Sequence, residues 1–222
     1  MKNRLLVVSL LPILMLIAVS GCGREELVIV QINYLKGRLF PVEDENPETG
    51  KTVRKSGVSL LSSRLNELKK EYPNRHNRIL IANANFLYGS PEAYFTEGRA
   101  VIGMLIRLGF DTFILGHRDF YFGAEVLESL AELAAENQNQ EARKPRFVCA
   151  NVFLRSRHVR PDYIKPYVIQ QTDSAGKIGI IGLLSKAAVS KIPQSYFSDF
   201  KYEPPGNVLP ELITELEKQN VE

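Results

Sequence analysis

Short apolar runs rich in Val, Ile and Leu alternate with longer amphipathic stretches along most of this chain. That alternation restricts the fold more than any other feature. The runs LVIVQI (27–32), ILIANA (79–84), TFIL (112–115), FVCANV (147–152), YVIQQ (167–171) and IGIIGLL (178–184) read as strands. Between them, Leu60, Leu61, Leu65 and Leu68 recur at helical spacing, as do Val101, Leu105 and Leu108 ahead of Gly109, placed as a C-cap. Leu127, Leu130 and Leu133 repeat the pattern, and a last helix is expected over 210–222 with Pro210 in its first turn. Strand and helix in alternation imply βαβ units and a parallel sheet, an α/β fold of the order βαβαβαβ. YVIQQ and IGIIG break the rule: a short polar loop containing Gly176 joins them as an antiparallel hairpin, and a helix follows. The segment VEDENPETGKT (42–52) is expected to be a polar loop, long for a βα connection, and such loops are often functional.

The first residues are not part of that pattern. MKNR is basic, residues 5–20 are apolar, and small residues follow, which describes a secretory signal over residues 1–21. The run is short for a membrane span, which needs about 20 apolar residues. The tetrad Val19-Ser20-Gly21-Cys22 resembles a bacterial lipobox. Cys22 is therefore the expected lipidated N-terminus, with residues 22–26 as a tether and the membrane as its partner. Acyl chains anchor stably because each buried CH₂ contributes about 0.8 kcal/mol. The expected location is the bacterial cell envelope, facing periplasm or exterior. Without Lys2 and Arg4 the formal charge falls from +3 to +1, which gives no argument for a nucleic-acid partner. With Cys22 acylated only Cys149 remains; it sits in an apolar run and reads as an inert buried thiol. The basic stretches RKPR (143–146) and RSRHVR (155–160) read as solvated loops.

Two short motifs fail. GKT at 50–52 lacks the first glycine of a phosphate loop, since position 45 is Glu. HRD at 117–119 lacks the Asn that a kinase catalytic loop needs, since position 124 is Ala.

The strand ends carry more information. They read QINYLKGRLFP, NANFLYGSP, LGHRDFYFG and CANV in chain order, and ligands of open α/β sheets sit off the carboxyl ends of the strands. These four segments resemble the N-terminal metallophosphoesterase domain of the bacterial 5′-nucleotidase and UDP-sugar hydrolase family, which reads in outline TNDLHGRL, DAGDLFQGSP, LGNHEFDYG and ANV. KPYVIQQTDSAGKIGIIGLLS (165–185) resembles the hairpin that follows. The resemblance runs from about Leu27 to the end of the chain. It implies a calcineurin-like α/β/β/α sandwich, of which residues 27–222 would form the first part only. It also implies a hydrolase of phosphate esters using two divalent metal ions.

Placed residue by residue, the family's DxH becomes Tyr34-Leu35-Lys36, its bridging Asp becomes Asn85, and its Asn-His becomes His117-Arg118, with an acid kept at Asp119. A two-metal site needs carboxylates against four positive charges. Tyr34 and Asn85 supply none, Lys36 repels a cation, and Arg118 cannot be deprotonated, so it is neither a ligand nor a proton donor. No bound metal pair, and no catalytic residue, is therefore expected. Gly37, Gly89, Ser90, Pro91, Gly116, Gly123 and Asn151 match the family outline, so the scaffold is kept where the ligands are substituted. Two functional readings follow. One is a lipid-anchored pseudoenzyme that binds a phosphate-bearing ligand or a protein, with Lys36, Arg118 and Asn151 as candidate anion binders. The other is a nucleotidase-like hydrolase with an altered site, or one completed by a missing C-terminal part. In the plainer view of the two cations, they are solvated or pair with Asp119. The chain stops where the family's next strand would begin, so an open sheet edge, self-association or a protein partner, and a weakly held last helix are also expected.

Overall fold

The structure is a computed structural model that describes residues 26–55, 57–136 and 143–221. The signal segment 1–21, Cys22 and most of the tether lie outside these residues.

A five-stranded, all-parallel sheet forms the centre, in the order β1, β4, β5, β6, β8. Its strands are β1 (Val28–Asn33), β4 (Arg78–Asn83), β5 (Thr112–Ile114), β6 (Arg146–Val148) and β8 (Ile164–Lys165). Helices α1 (Val58–Glu71), α3 (Arg99–Leu108) and α4 (Gly123–Ala135) supply the connections, as the leucine spacing predicts. Gly109 caps α3 in the left-handed conformation, with φ of 99°. The helices lay Leu65, Leu105 and Leu127 on a core built from Leu80, Ala82, Phe113 and Phe147, each buried. Phe86, Phe113 and Phe147 meet at ring-centroid distances of 5.6–6.4 Å. Burying side chains of this size stabilises by about 1.5–3 kcal/mol each.

The predicted hairpin is present as β9 (Tyr167–Thr172) and β10 (Gly176–Ile181), with Gly176 opposite Thr172. It covers the second face of the sheet near β5, where Gln170 Nε2 donates to Thr112 Oγ1 and Asp111 Oδ1, each at 3.1 Å. The cover does not reach β1, whose Ile29 is 55% exposed at the sheet's edge.

Four expectations need correction. FVCANV is not one strand: β6 ends at Val148, the chain turns at Ala150 and Asn151, and β7 (Val152–Leu154) leaves the sheet to pair with β11 (Phe200–Tyr202). The polar loop 42–52 is a hairpin of β2 (Val42–Glu45) and β3 (Thr52–Lys55), with β2 wholly exposed; cross-strand backbone bonds hold it, so no apolar pattern announces it. The last helix, α7 (Pro205–Lys218), starts one turn early, with Pro205 in its first turn and Pro210 inside it. It is also firmly packed. Val208, Leu212 and Leu216 are buried, Tyr167 donates to Glu215 Oε1 at 2.6 Å, and Lys177 donates to the Gln219 carbonyl at 2.9 Å. Short helices α2 (Pro91–Phe95), α5 (Lys186–Val189) and α6 (Gln194–Phe197) complete the fold.

The arginine-rich loops are structural. Arg143 donates to the carbonyls of Arg78, His76 and Gln171, Arg155 to those of Ser198 and Phe200, and Arg160 to that of Ala150.

Candidate functional site

Three turns at the carboxyl end of the sheet build the site. The turn after β4 lies in the middle. The turn after β1 hangs on it by backbone bonds: Tyr34 N donates to Ala84 O at 3.2 Å, Lys36 N to Asn85 O and Gly37 N to Phe86 O, both at 2.8 Å. Ser90 adds a clasp, donating to Gly37 O at 2.7 Å while its Oγ caps α2. A side chain on Gly37 would overlap Ala93 and reach within 2.9 Å of the Leu87 carbonyl, and its φ is 69°. Only glycine fits there.

The third turn follows β5. Gly116 lets its backbone lie against Ala84 and Asn85, where a Cβ would come within 2.6 Å of Asn85 N. His117–Phe120 then form a single 3₁₀ turn. Asp119, wholly buried, is the centre of this arrangement. Its Oδ2 accepts from Asn85 N at 2.7 Å and Gly116 N at 2.8 Å, and its Oδ1 accepts from Leu87 N at 2.8 Å. Burial pushes its carboxyl up to about 6 although these backbone N–H groups favour the ionised form. The carboxylate is thus spent on holding turns together, and it does not pair with Lys36 or Arg118.

Four residues other than glycine sit at positive φ around these turns: Tyr34 (54°), Lys36 (53°), Ala84 (54°) and Asn85 (57°). Left-handed backbone of this kind is sparse and tends to gather at functional sites. Nothing at Ala84 signals it in the sequence.

The side chains that this frame presents are of mixed kind. Tyr34 is 58% exposed at the rim. Lys36 and Arg118 are half-buried. Asn85 is buried, and its Oδ1 accepts the Arg118 backbone N–H at 2.8 Å. His117 is held below its ordinary value by burial first, then by the charges of Arg118 and Lys191, which favours its neutral form. Its ring meets Tyr121 edge-on at 6.2 Å, and Tyr121 stacks on Tyr196 at 5.8 Å. Lys191, Tyr121 and Tyr196 escaped the sequence reading; they come from segments whose approach to the β5 turn only the fold shows.

Asn151 is a different case, and its assignment as an anion binder is corrected. Its Nδ2 donates to the carbonyls of Leu184 and Glu203 at 2.8 and 2.9 Å, and its Oδ1 accepts from Leu184 N at 2.9 Å. It is fully buried and has no donor left for a ligand. Cys149 beside it is buried, and burial pushes its thiol up to about 12, so it is no nucleophile.

These residues do not fit a pair of divalent ions. Asp119 is wholly buried and occupied by backbone N–H groups, Asn85 Oδ1 accepts a backbone N–H, and Lys36 and Arg118 bring positive charge. Among the described residues no three His, Cys, Asp or Glu side chains converge.

An open α/β domain with a parallel sheet, turns of this order at its carboxyl end and a following antiparallel hairpin is metallophosphoesterase-like. The comparisons with known proteins find similarity to part of several 5′-nucleotidases and related phosphoesterases. The chain is 29% identical over 179 residues to the snake venom 5′-nucleotidase of Gloydius brevicauda, covering 75% of this chain and 26% of that protein. Its fold superposes on the NAD nucleotidase of Haemophilus influenzae with a TM-score of 0.68 at 25% identity, covering 87% of this chain and 32% of the other. The 5′-nucleotidase precursor of Thermus thermophilus gives 0.68 at 22% identity, covering 88% and 35%. The calcineurin-like phosphoesterase YfkN of Bacillus subtilis shares the fold, with a TM-score of 0.59 at 15% identity, covering 87% of this chain and 58% of that one. The chain thus spans about a quarter of the length of the curated relative and about a third of the two nucleotidase structures. No family model matches it.

Proposed function

We propose that this protein is a lipid-anchored, non-catalytic relative of nucleotidase-type phosphoesterases, held in the bacterial cell envelope through Cys22, whose carboxyl-end rim binds anions. The observation that carries this reading is the state of the rim. Its backbone is kept down to the Gly37, Gly116 and Asp119 contacts, while Tyr34, Lys36, Asn85 and Arg118 stand where a metal pair would need carboxylates. Lys36 and Arg118 offer only donors, and Arg suits bidentate contact with phosphate. The chemistry that remains is attraction without an activated hydroxide.

His117 favours the second reading, an altered hydrolase. A neutral, half-buried imidazole is a competent ligand or base. Elemental analysis of protein purified without chelator separates the two. Well under one equivalent of Mn, Zn, Fe or Co per chain, with no release of phosphate from nucleotides, is expected. Two equivalents with turnover would establish the hydrolase. Metabolic labelling with a palmitate analogue is expected to mark the wild type and not Cys22→Ala; equal labelling would refute the anchor.

A further inference from the structure

The opposite end of the sheet is also basic, and the rim just described does not use it. Because the sheet is parallel, the first residues of β1, β4, β5 and β6 share one end: Val28 lies beside Arg78, and Thr112 beside Arg146. Arg75, Arg78, Arg143 and Arg146 gather there, with Lys144 exposed next to them. Like charge is felt between them: Arg75 disfavours the charged forms of Lys69, Arg78 and Arg143, after burial as the larger cause. Lys70, exposed at the end of α1, extends the group.

Several acids described at this end have partners, and Glu132 lines a second hollow beside Lys144 and Arg146. Asp111 sits 3.8 Å from Arg143 and accepts from Thr112 and Gln170. Asp173 accepts from Asn74 at 3.1 Å and lies near Arg143. Glu71 and Glu26 lie beside Tyr72. Arg78 Nε is buried without any acceptor. Among the described residues the cations outnumber the acids, and a cleft of about 540 Å³, lined by Asp111 as well as His76, Arg143, Lys144 and Arg146, opens on the same end.

The tether enters at this end too. β1 starts at Val28, and five residues separate Cys22 from it. The six residue steps from Cys22 to Val28 span at most about 22 Å. An anchor at Cys22 therefore brings the amino-end rim within reach of the bilayer, without by itself fixing which face meets it. We propose that the basic rim of Arg75, Arg78, Lys144 and Arg146 docks on anionic phospholipid headgroups, fixing the carboxyl-end site outward from the membrane. The inference rests on the reading of Cys22 as the lipidated residue. One acyl anchor and one basic surface together hold an orientation that neither holds alone.

The full-length lipoprotein, matured in a bacterial host and reconstituted on vesicles, tests this. Vesicles of phosphatidylcholine alone are compared with vesicles containing about one-third phosphatidylglycerol. Acetylation rates of single lysines are read by mass spectrometry. On the anionic vesicles Lys70 and Lys144 are expected to react at least about five-fold more slowly, the factor that one membrane-facing cation provides. High salt should restore the rates, and Lys186 and Lys191 near the opposite rim should not change. Equal rates for Lys70 and Lys144 on both vesicle types, or protection of Lys186 and Lys191 instead, overturns the proposal. The mass of the Cys22 peptide reports the anchor separately. Unmodified Cys22 with protected Lys70 and Lys144 refutes the anchor and keeps the docking face, whereas acylated Cys22 with equal rates does the reverse.

Discussion

The turn after β5 and the turn after β1 flank the β4 turn on the same rim, yet they are held to it in different ways. The β5 turn is held by a side chain, a buried carboxylate that gathers one backbone N–H of its own turn and two of the β4 turn. The β1 turn is fixed from outside, by hydrogen bonds from its backbone to its neighbour, and its side chains Tyr34 and Lys36 take little part. The difference teaches that the rim's shape does not depend on the residues that would do chemistry. The side chains displayed on the rim are not what ties the backbone that displays them.

The sharpest way to break this comparison is to cut each turn in its own place. Asp119→Ala leaves three buried N–H groups without acceptors, at roughly 1–3 kcal/mol each, and is expected to cost about 4 kcal/mol or more of stability. Lys36→Ala is expected to stay within about 0.5 kcal/mol. Urea unfolding of both variants measures the contrast, and similar losses would show that the two turns are held alike.

Acid titration gives the next largest effect. Asp119 has a folded value raised from 3.8 to about 6, so between these values the folded state binds more protons than the unfolded one. Stability is therefore expected to fall as pH rises from about 4 to about 6, by roughly 3 kcal/mol from this group. Asp111, raised by burial, adds a change of the same sign. Chemical denaturation across that window should show the slope, and Asp119→Asn should flatten most of it. A wild-type profile that rises with pH there would mean that the backbone donors outweigh burial.

A smaller effect tests the other turn. Gly37→Ala forces a Cβ into Ala93 at a positive φ and is expected to cost about 2 kcal/mol. The same substitution at Gly123, which has open space around its Cβ position, meets no such overlap, although its φ of 82° carries the backbone part of the strain. The difference in thermal unfolding between the two variants isolates the packing term.

Much of this was legible in the residues, for reasons that are local. Leu65, Leu105 and Leu127 mark helix faces, Gly109 stops a helix, and Gly176 turns a hairpin, all within a few positions of where their effect appears. The substituted ligand positions were visible because their place follows from strand ends. What was not legible depends on distant partners. The role of Asp119 needs Asn85 and Leu87, the break of FVCANV needs β11, and the β2–β3 hairpin needs only backbone bonds that leave no side-chain pattern. Asn151 was misread for the same reason, since its identity matches a site residue and its contacts are those of a clamp.

That clamp bears on how the chain reaches its fold. The amide of Asn151 joins positions 33 and 52 residues further along the sequence. Closing the larger loop costs roughly 3.5 kcal/mol of chain entropy before any contact repays it. The β6–β7 corner is therefore expected to stay unlocked until the hairpin and β11 have arrived. A substitution there would act mainly on how long the native state lasts, by quickening unfolding, and little on how fast the parallel sheet first assembles.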